Sequence, residues 1–345
     1  MSDLTILRAM LEHLLEGRSL SETQAYDVSI GLTQVDTPVA IGGAMLAALR
    51  AKGVTADEVR GFARAMRELA RRPAIDDSRR ERAIDIVGTG GDASGSVNIS
   101  TGTSLLVAAC DIPVIKHGNR SISSRSGSAD VLEQLGLTLP LDEVDAGRCL
   151  ERSGFTFLFA PYYHPAMKAI APVRQALGIR TIFNVLGPLT NPAAPPYALV
   201  GAFNERTAEL MAGALAGLPG LRRAFVVHAS NGWDEPTPIG PFTLFDVRAG
   251  TVTRHSRDPL DYGFARCSAH DLEGGDAANN AAALARVLRG EDRGAHRDAL
   301  VLGAALALEC TGAVHSIAEG ISTANRAIDE GAAARVLSSL KDPGV

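Results

Sequence analysis

Residues 85–101 read D-I-V-G-T-G-G-D-A-S-G-S-V-N-I-S-T. The β-rich run Ile84 to Val87 stops at a glycine-rich turn, an apolar helix runs from about Ser100 to Cys110, and a second short run follows at Ile112 to Ile115. That order predicts a βαβ unit with a right-handed parallel crossover. Gly88, Gly90 and Gly91 let the backbone approach a ligand, and Asn98, Ser100 and Thr101 stand where a helix start offers unpaired N–H groups to an anion. The stretch matches neither the dinucleotide fingerprint G-x-G-x-x-G nor a P-loop, since no G-K-[S/T] follows. A strand-to-helix turn whose glycines serve only geometry would read the same way, so the loop alone leaves both readings open.

The next loop narrows them. Residues 116–130 read K-H-G-N-R-S-I-S-S-R-S-G-S-A-D; no acid occurs from Ile112 to Ala129, while Lys116, Arg120 and Arg125 are cationic and five serines intervene. Fixed cations among hydroxyl donors suit a polyphosphate or phosphorylated sugar better than a base edge. The alternative is a solvated basic loop. Position argues for a site, because both loops end neighbouring parallel strands, where α/β proteins hold their ligands.

Two later segments carry chemistry. H-A-S-N-G-W-D-E at 228–235 sets the adjacent carboxylates Asp234 and Glu235 on a loop past another strand-like run. Such a pair can share Mg²⁺, or can simply be solvated. H-P-A-M-K-A-I-A-P-V-R at 164–174 places Arg174 in apolar surroundings that call for an acidic or phosphate partner, internal or bound. His164 alone reads as a hydrogen-bonded core imidazole. No G-x-S-x-G, no H-E-x-x-H and no spaced acid/base pair appears, so the equipment is for binding and charge neutralisation.

Outward from these motifs, later β-like runs at Phe155 to Ala160, Leu199 to Ala202 and Ala224 to His228 alternate with helical patterns such as Glu205 to Leu218 and Ala277 to Arg289. From Leu4 to about Leu69 apolar residues recur at helical spacing instead, with Gly17 and Gly53 as C-caps and Ser19, Thr37 and Thr55 as N-caps. The polar stretch R-R-P-A-I-D-D-S-R-R-E-R at 71–82 separates the two patterns. The expected architecture is therefore α/β: a small N-terminal all-helical domain over 1–72, completed by a segment near 164–188, and a larger α/β domain over 73–345 with a mainly parallel central sheet.

Composition bounds the function. With 46% hydrophobic and 21% charged residues the chain is an ordinary globular one. Its 34 Lys+Arg against 39 Asp+Glu give a net charge of −5, which offers no general attraction to nucleic acid or an anionic membrane. No basic, then apolar, leader opens the sequence, and a cytoplasmic location is expected. The cysteines at 110, 149, 267 and 310 lie far apart and read as reduced structural thiols.

Taken in order, G-T-G-G-D (88–92), N-I-S-T (98–101), K-H-G-N-R with S-S-R-S-G-S-A-D (116–130), A-P-V-R (171–174), L-G-P-L-T-N-P (186–192) and G-W-D-E (232–235) resemble the motifs of the anthranilate phosphoribosyltransferases. The likeness extends to D-Y-G (261–263) and G-G-D-A-A-N-N-A (274–281), and so over nearly the whole chain. It implies a nucleoside phosphorylase-like fold of the class IV phosphoribosyltransferases, a homodimer, and Mg²⁺-dependent transfer from phosphoribosyl pyrophosphate to anthranilate in tryptophan biosynthesis.

Carried over by motif, Gly88, Gly91, Asp92, Asn98, Ser100, Thr101, Lys116, Ser124 and Ser128 would bind the sugar pyrophosphate. Ser100, Asp234 and Glu235 would hold the metal. Gly88, His117, Asn119, His164, Arg174, Gly187 and Pro188 would line the anthranilate site, Arg174 facing the carboxylate. Arg125 stands where a Lys is common, Trp233 where a smaller residue is usual, and the loop P-T-P-I-G-P-F is rich in proline, which puts loop geometry in question. A pyrimidine nucleoside phosphorylase and a non-catalytic nucleic-acid-binding relative are the competing readings; the K-H-G-N-R loop, the Asp-Glu pair and the net charge speak against them.

Overall fold

Short β-rich runs become strands where the sequence places them. The computed structural model describes residues 3–121 and 125–341. Its strands are β1 (Ile84–Gly88), β2 (Val114–Gly118), β3 (Phe155–Phe159), β4 (Tyr197–Gly201), β5 (Arg223–Ala229), β6 (Phe242–Arg248) and β7 (Thr251–Arg257). They form one sheet in the order β3-β2-β1-β4-β5-β6-β7. The pairings among β1 to β5 are parallel, whereas β5-β6 and β6-β7 are antiparallel. The expected mainly parallel sheet is present. The antiparallel extension is an addition, and its signal was the alternation F-T-L-F-D-V-R before the turn at Ala249 and Gly250, both at positive φ. β7 is exposed along most of its length and carries Arg254, His255 and Arg257, charges that blunt a free edge.

The strands divide two hydrophobic cores between their faces. Leu199, Phe225, Val227, Phe242 and Leu244 point to one side, where the Ala- and Leu-rich helix Ala295–Thr311 packs on β4 and β5 while helix Ile99–Ala108 packs on β1, β2 and β3. Ala198, Val200, Ala224, Val226, Phe245 and Val247 point to the other and share a core with helix Glu205–Ala216 and with the N-terminal helices. The period of two along each strand sorts these residues.

The N-terminal helices are Asp3–Leu15, Glu22–Leu32, Val39–Lys52 and Ala56–Glu68. Thr55 caps the last of them in a reciprocal box with Glu58, and Gly53 ends the third. Ser19 does not cap as expected: Ser21 does, because Gln24 three residues on completes its capping box. Thr37 likewise turns back, its hydroxyl donating to the Gly31 carbonyl at 2.6 Å. Helices Met167–Leu177 and Phe183–Leu186 pack Ile170, Val173 and Phe183 into the same core. The polar stretch at 71–82 is pinned rather than loose: Arg71 N–H donates to Tyr163 O at 2.9 Å and Ala74 N–H to Glu143 O at 2.7 Å. Among the described residues no helix is long and apolar enough to cross a membrane.

β1 is the pivot of the topology. From it the chain winds toward β2 and β3 on one side and returns to β4 and β5 on the other, so the carboxyl ends of β1 and β4 flank a topological switch point. Such crevices are where open α/β sheets receive ligands.

Candidate active site

Two glycines in register, Gly88 at the end of β1 and Gly201 at the end of β4, open the switch point. Asp234 fills the space they leave. A Cβ on Gly88 would stand 2.5 Å from Asp234 Oδ2, and one on Gly201 would stand 1.6 Å from the Asp234 carbonyl oxygen. The carboxylate accepts from the Gly90 N–H at 2.7 Å, and the Asp234 N–H donates to Asp92 Oδ2 at 3.3 Å. Glu235 accepts from the Ser100 N–H at 3.0 Å, at the first turn of helix Ile99–Ala108. Lys116, 1% exposed, donates to the Ile86 carbonyl and to Ser100 Oγ, the latter at 3.3 Å. Gly88, Asp92, Ser100, Lys116, Asp234 and Glu235 are thus one contact cluster, which Gly91 borders.

The remaining donor-side residues lie around it. Asn98 stands at the helix start without capping it; its Oδ1 accepts from Ser126 Oγ at 3.0 Å and from Asn280 Nδ2 at 2.9 Å, tying the serine-rich loop to the G-G-D-A-A-N-N-A segment. Thr101 is fully buried, its hydroxyl without a partner among the described residues. Ser128 opens helix Ser128–Gln134, and Asn119 is exposed on the preceding loop. Ser124 lies outside the described residues. Arg120 does not serve an anion here: it pairs with Asp130 at 2.8 Å and Glu133 at 2.5 Å on the helix that follows. Trp233 is a core residue whose carbonyl closes the turn to the Ala229 N–H at 3.0 Å, which answers the question of its size.

Lys116 and His117 are neighbours on β2, so their side chains leave opposite faces of the sheet. His117 Nδ1 lies 3.1 Å from the Gly187 carbonyl oxygen, in the turn that Pro188 continues, and its Nε2 lies 3.2 Å from His164 Nε2. A carbonyl only accepts, so His117 carries its proton on Nδ1 and turns the lone pair of its Nε2 toward His164. Burial pushes the imidazoles down to about 3 for His117 and about 4 for His164, leaving both neutral at physiological pH. Arg174 is half-buried, lies over the Phe183 ring at 5.2 Å, and has no ion pair among the described residues. The internal salt bridge that its apolar surroundings allowed is absent there, and among the described residues its one recorded side-chain contact is the aromatic ring. It is not hydrogen-bonded to the histidine pair.

Reading by motif missed the groups beneath. Asp85, 1% exposed, accepts from the His117 N–H at 3.2 Å and from Asn191 Nδ2 at 2.9 Å. Burial raises it to about 6 against the pull of Asn191, Lys116 and Arg67. Arg67, lowered to about 10 by burial, donates to the Leu189 carbonyl at 2.8 Å and so braces the same turn from the helical side. An acid inside the strand I-D-I-V was the available signal. Arg67 carried none, because its surface faces the site only after the helices dock.

Electrostatically the switch point holds more buried carboxylate than the single ammonium of Lys116 offsets. Burial, then each other's charge and that of Asp92, raises the Asp234 carboxyl well above its usual range, and burial raises Glu235 to about 7 although Lys116 opposes it. Among the described residues no three His, Cys, Asp or Glu side chains form a ready metal cage. Two carboxylates and a hydroxyl, all oxygen, fit instead a hard cation that keeps waters and arrives with a phosphate, as Mg²⁺ does.

Comparison with known proteins places the family. The description "Glycosyl transferase family, a/b domain" matches residues 80–334, and "Glycosyl transferase family, helical bundle domain" matches residues 8–70. The chain is 43% identical over 335 residues to the anthranilate phosphoribosyltransferase of Pelotomaculum thermopropionicum, covering 97% of this chain and 96% of that one. It is 47% identical over 304 residues to that of Methylobacterium radiotolerans, covering 88% and 86%. Among solved structures, the anthranilate phosphoribosyltransferase of Thermus thermophilus superposes with a TM-score of 0.89 at 38% identity, covering 96% of this chain and 99% of that one. The Saccharomyces cerevisiae enzyme in complex with phosphoribosyl pyrophosphate and Mg superposes with a TM-score of 0.88 at 26% identity, covering 97% of each.

Proposed function

The chain belongs to the anthranilate phosphoribosyltransferases, and from that membership we propose that it transfers the phosphoribosyl group of phosphoribosyl pyrophosphate to the amine of anthranilate. The products are N-(5-phosphoribosyl)anthranilate and pyrophosphate, in tryptophan biosynthesis. The observation that carries the reading is the arrangement on β2, where Lys116 serves a carboxylate-lined phosphate crevice and the adjacent His117 serves a neutral pocket.

Bond breaking at C1 of the ribose leaves an oxocarbenium-like sugar and a highly charged leaving group. Bound Mg²⁺ supplies charge neutralisation for pyrophosphate, and Ser100, Asp234 and Glu235 are the groups that would hold it. Lys116 neutralises the same oxygens, while Gly88, Gly91, Asp92, Asn98, Thr101, Ser124 and Ser128 would orient the donor through backbone and hydroxyl groups. Arg174 would pair with the anthranilate carboxylate, and His117, Asn119, His164 and the Gly187-Pro188 turn would present the ring. An arylamine is uncharged at neutral pH and needs little base, in keeping with imidazoles held neutral. Orientation and leaving-group stabilisation supply the rate.

A homodimer in the cytoplasm completes the proposal; the family likeness supports it, as do the exposed apolar residues Leu15, Val35 and Val39 on the helical unit. The test is the loss of anthranilate fluorescence on mixing with phosphoribosyl pyrophosphate. Mg²⁺-dependent loss is expected. Folded protein that shows no loss, or that phosphorolyses thymidine or uridine, would overturn the reading.

A further inference from the structure

At its centre the glycine loop after β1 is held in part by a carboxylate that the donor's metal would claim. The Gly90 N–H is bound to Asp234 Oδ2 at 2.7 Å, and Asp92 Oδ2 to the Asp234 N–H at 3.3 Å. Were Asp234 to hold a cation, its carboxylate would be drawn from the first of these contacts. One side-chain anchor is independent of that change: Arg180 donates from its guanidinium to the Gly91 carbonyl at 2.8 Å. Its plane lies over the Phe203 ring at 4.3 Å, and the Phe203 N–H donates to Thr89 Oγ1 at 3.2 Å, so the loop is gripped at both Thr89 and Gly91. Gly91 has φ +74°, and a Cβ there would lie 2.7 Å from the Arg180 guanidinium, so the two residues are fitted to each other. A peptide is planar and trans, so holding the Gly91 C=O toward Arg180 turns the Asp92 N–H the opposite way.

Arg180 sits between helices Met167–Leu177 and Phe183–Leu186, which pack with the N-terminal helices, on the same segment as Arg174. Resting on the transferase reading, we infer that Arg180, clamped on Phe203, is a positioning residue for the phosphoribosyl pyrophosphate loop, although it belongs to the acceptor-side segment. It keeps the Gly91–Asp92 peptide oriented when Asp234 is drawn to the metal. It is exposed and has no ion pair among the described residues, so its replacement spares the core.

Steady-state rates of anthranilate consumption at saturating Mg²⁺, together with melting temperatures, test this on R180A, R180K and F203L. R180A should raise KM for phosphoribosyl pyrophosphate about tenfold, as loss of a charge-assisted hydrogen bond would. KM for anthranilate should stay within about twofold and the melting temperature within a few degrees. F203L should move the same constant by less, and R180K should recover part of the loss, since an ammonium reaches the carbonyl but does not stack. An unchanged donor KM, an equal rise in both KM values, or a rise that tracks a fall in melting temperature overturns the proposal. Wild-type protein that consumes no anthranilate overturns the underlying reading instead, which separates the two failures.

Discussion

The two halves of the site solve opposite problems on the two faces of one strand. On the Lys116 face, buried carboxylates occupy the backbone N–H groups that an anion would use, and their pKa values are raised. On the His117 face, imidazoles are locked neutral against a carbonyl, and a single guanidinium waits over an aromatic ring. On the proposed reading, the first half would need a cation and a phosphate to offset its buried carboxylates, whereas the second is already neutral and hydrogen-bonded. Charge development at the leaving group demands rearrangeable counter-charge, whereas a flat neutral amine demands only shape and one fixed cation.

Breaking the first half should have the largest effect. Lys116→Met removes the buried cation that lies beside the carboxylates, and kcat/KM should fall by about 10²- to 10³-fold, read in the fluorescence assay. Next, Arg174→Ala should weaken anthranilate binding by about 2–4 kcal/mol while leaving the donor KM nearly unchanged. Equal losses for both substrates would erase the partition between the halves.

The pH dependence of stability sharpens the same contrast. Glu235 is raised from 4.5 to about 7 on folding, so between those values the folded chain keeps a proton that the unfolded chain has lost. The metal-free protein therefore loses stability through this group as pH rises from about 4.5 to 7. Glu235→Gln should remove that slope, stabilise the metal-free protein near pH 8 by about 1 kcal/mol or more, and raise the half-saturating Mg²⁺ at least about tenfold. Denaturant melts across pH with and without Mg²⁺ check all three.

His117 and His164 work with the other sign. Their folded values of about 3 and about 4 lie below the ordinary 6.5, so stability through them is complete above 6.5 and is lost as pH falls toward 4. E235Q protein should accordingly show a cleaner acid-side loss than wild type. The smallest expected effect is on catalysis: kcat should show no inflection near pH 6.5, because neither imidazole titrates there. A histidine inflection in that range would show that the acceptor half is not fixed in its neutral state.

Much of this was legible in local pattern. The runs Ile84 to Val87 and Phe155 to Ala160 became strands within a residue or two of their expected bounds, and the ends of β1 and β2, which the loops at 88–92 and 116–130 follow, lie side by side as the sequence order implied. Asp234 was legible as a carboxylate but not as the plug between Gly88 and Gly201, since its contact with Gly88 joins residues well over a hundred positions apart. Arg120 illustrates the reverse error. It looked like a phosphate ligand because its partners Asp130 and Glu133 follow the basic stretch and come round to it only when their helix forms.

The sequence by itself determined the fold class, the parallel order of its first crossovers and the chemical types in the site. Hydrophobic period, glycine placement and charge are local quantities, and a chain carries them before it folds. Only the tertiary structure decided which charges are paired and which are left open: Arg120 neutralised by its own helix, Arg174 left facing outward over Phe183, Asp85 and Arg67 buried beneath the histidine turn, and Arg180 reaching the glycine loop. Burial and partner distance set the strength of a charge, and both come into being when distant segments pack.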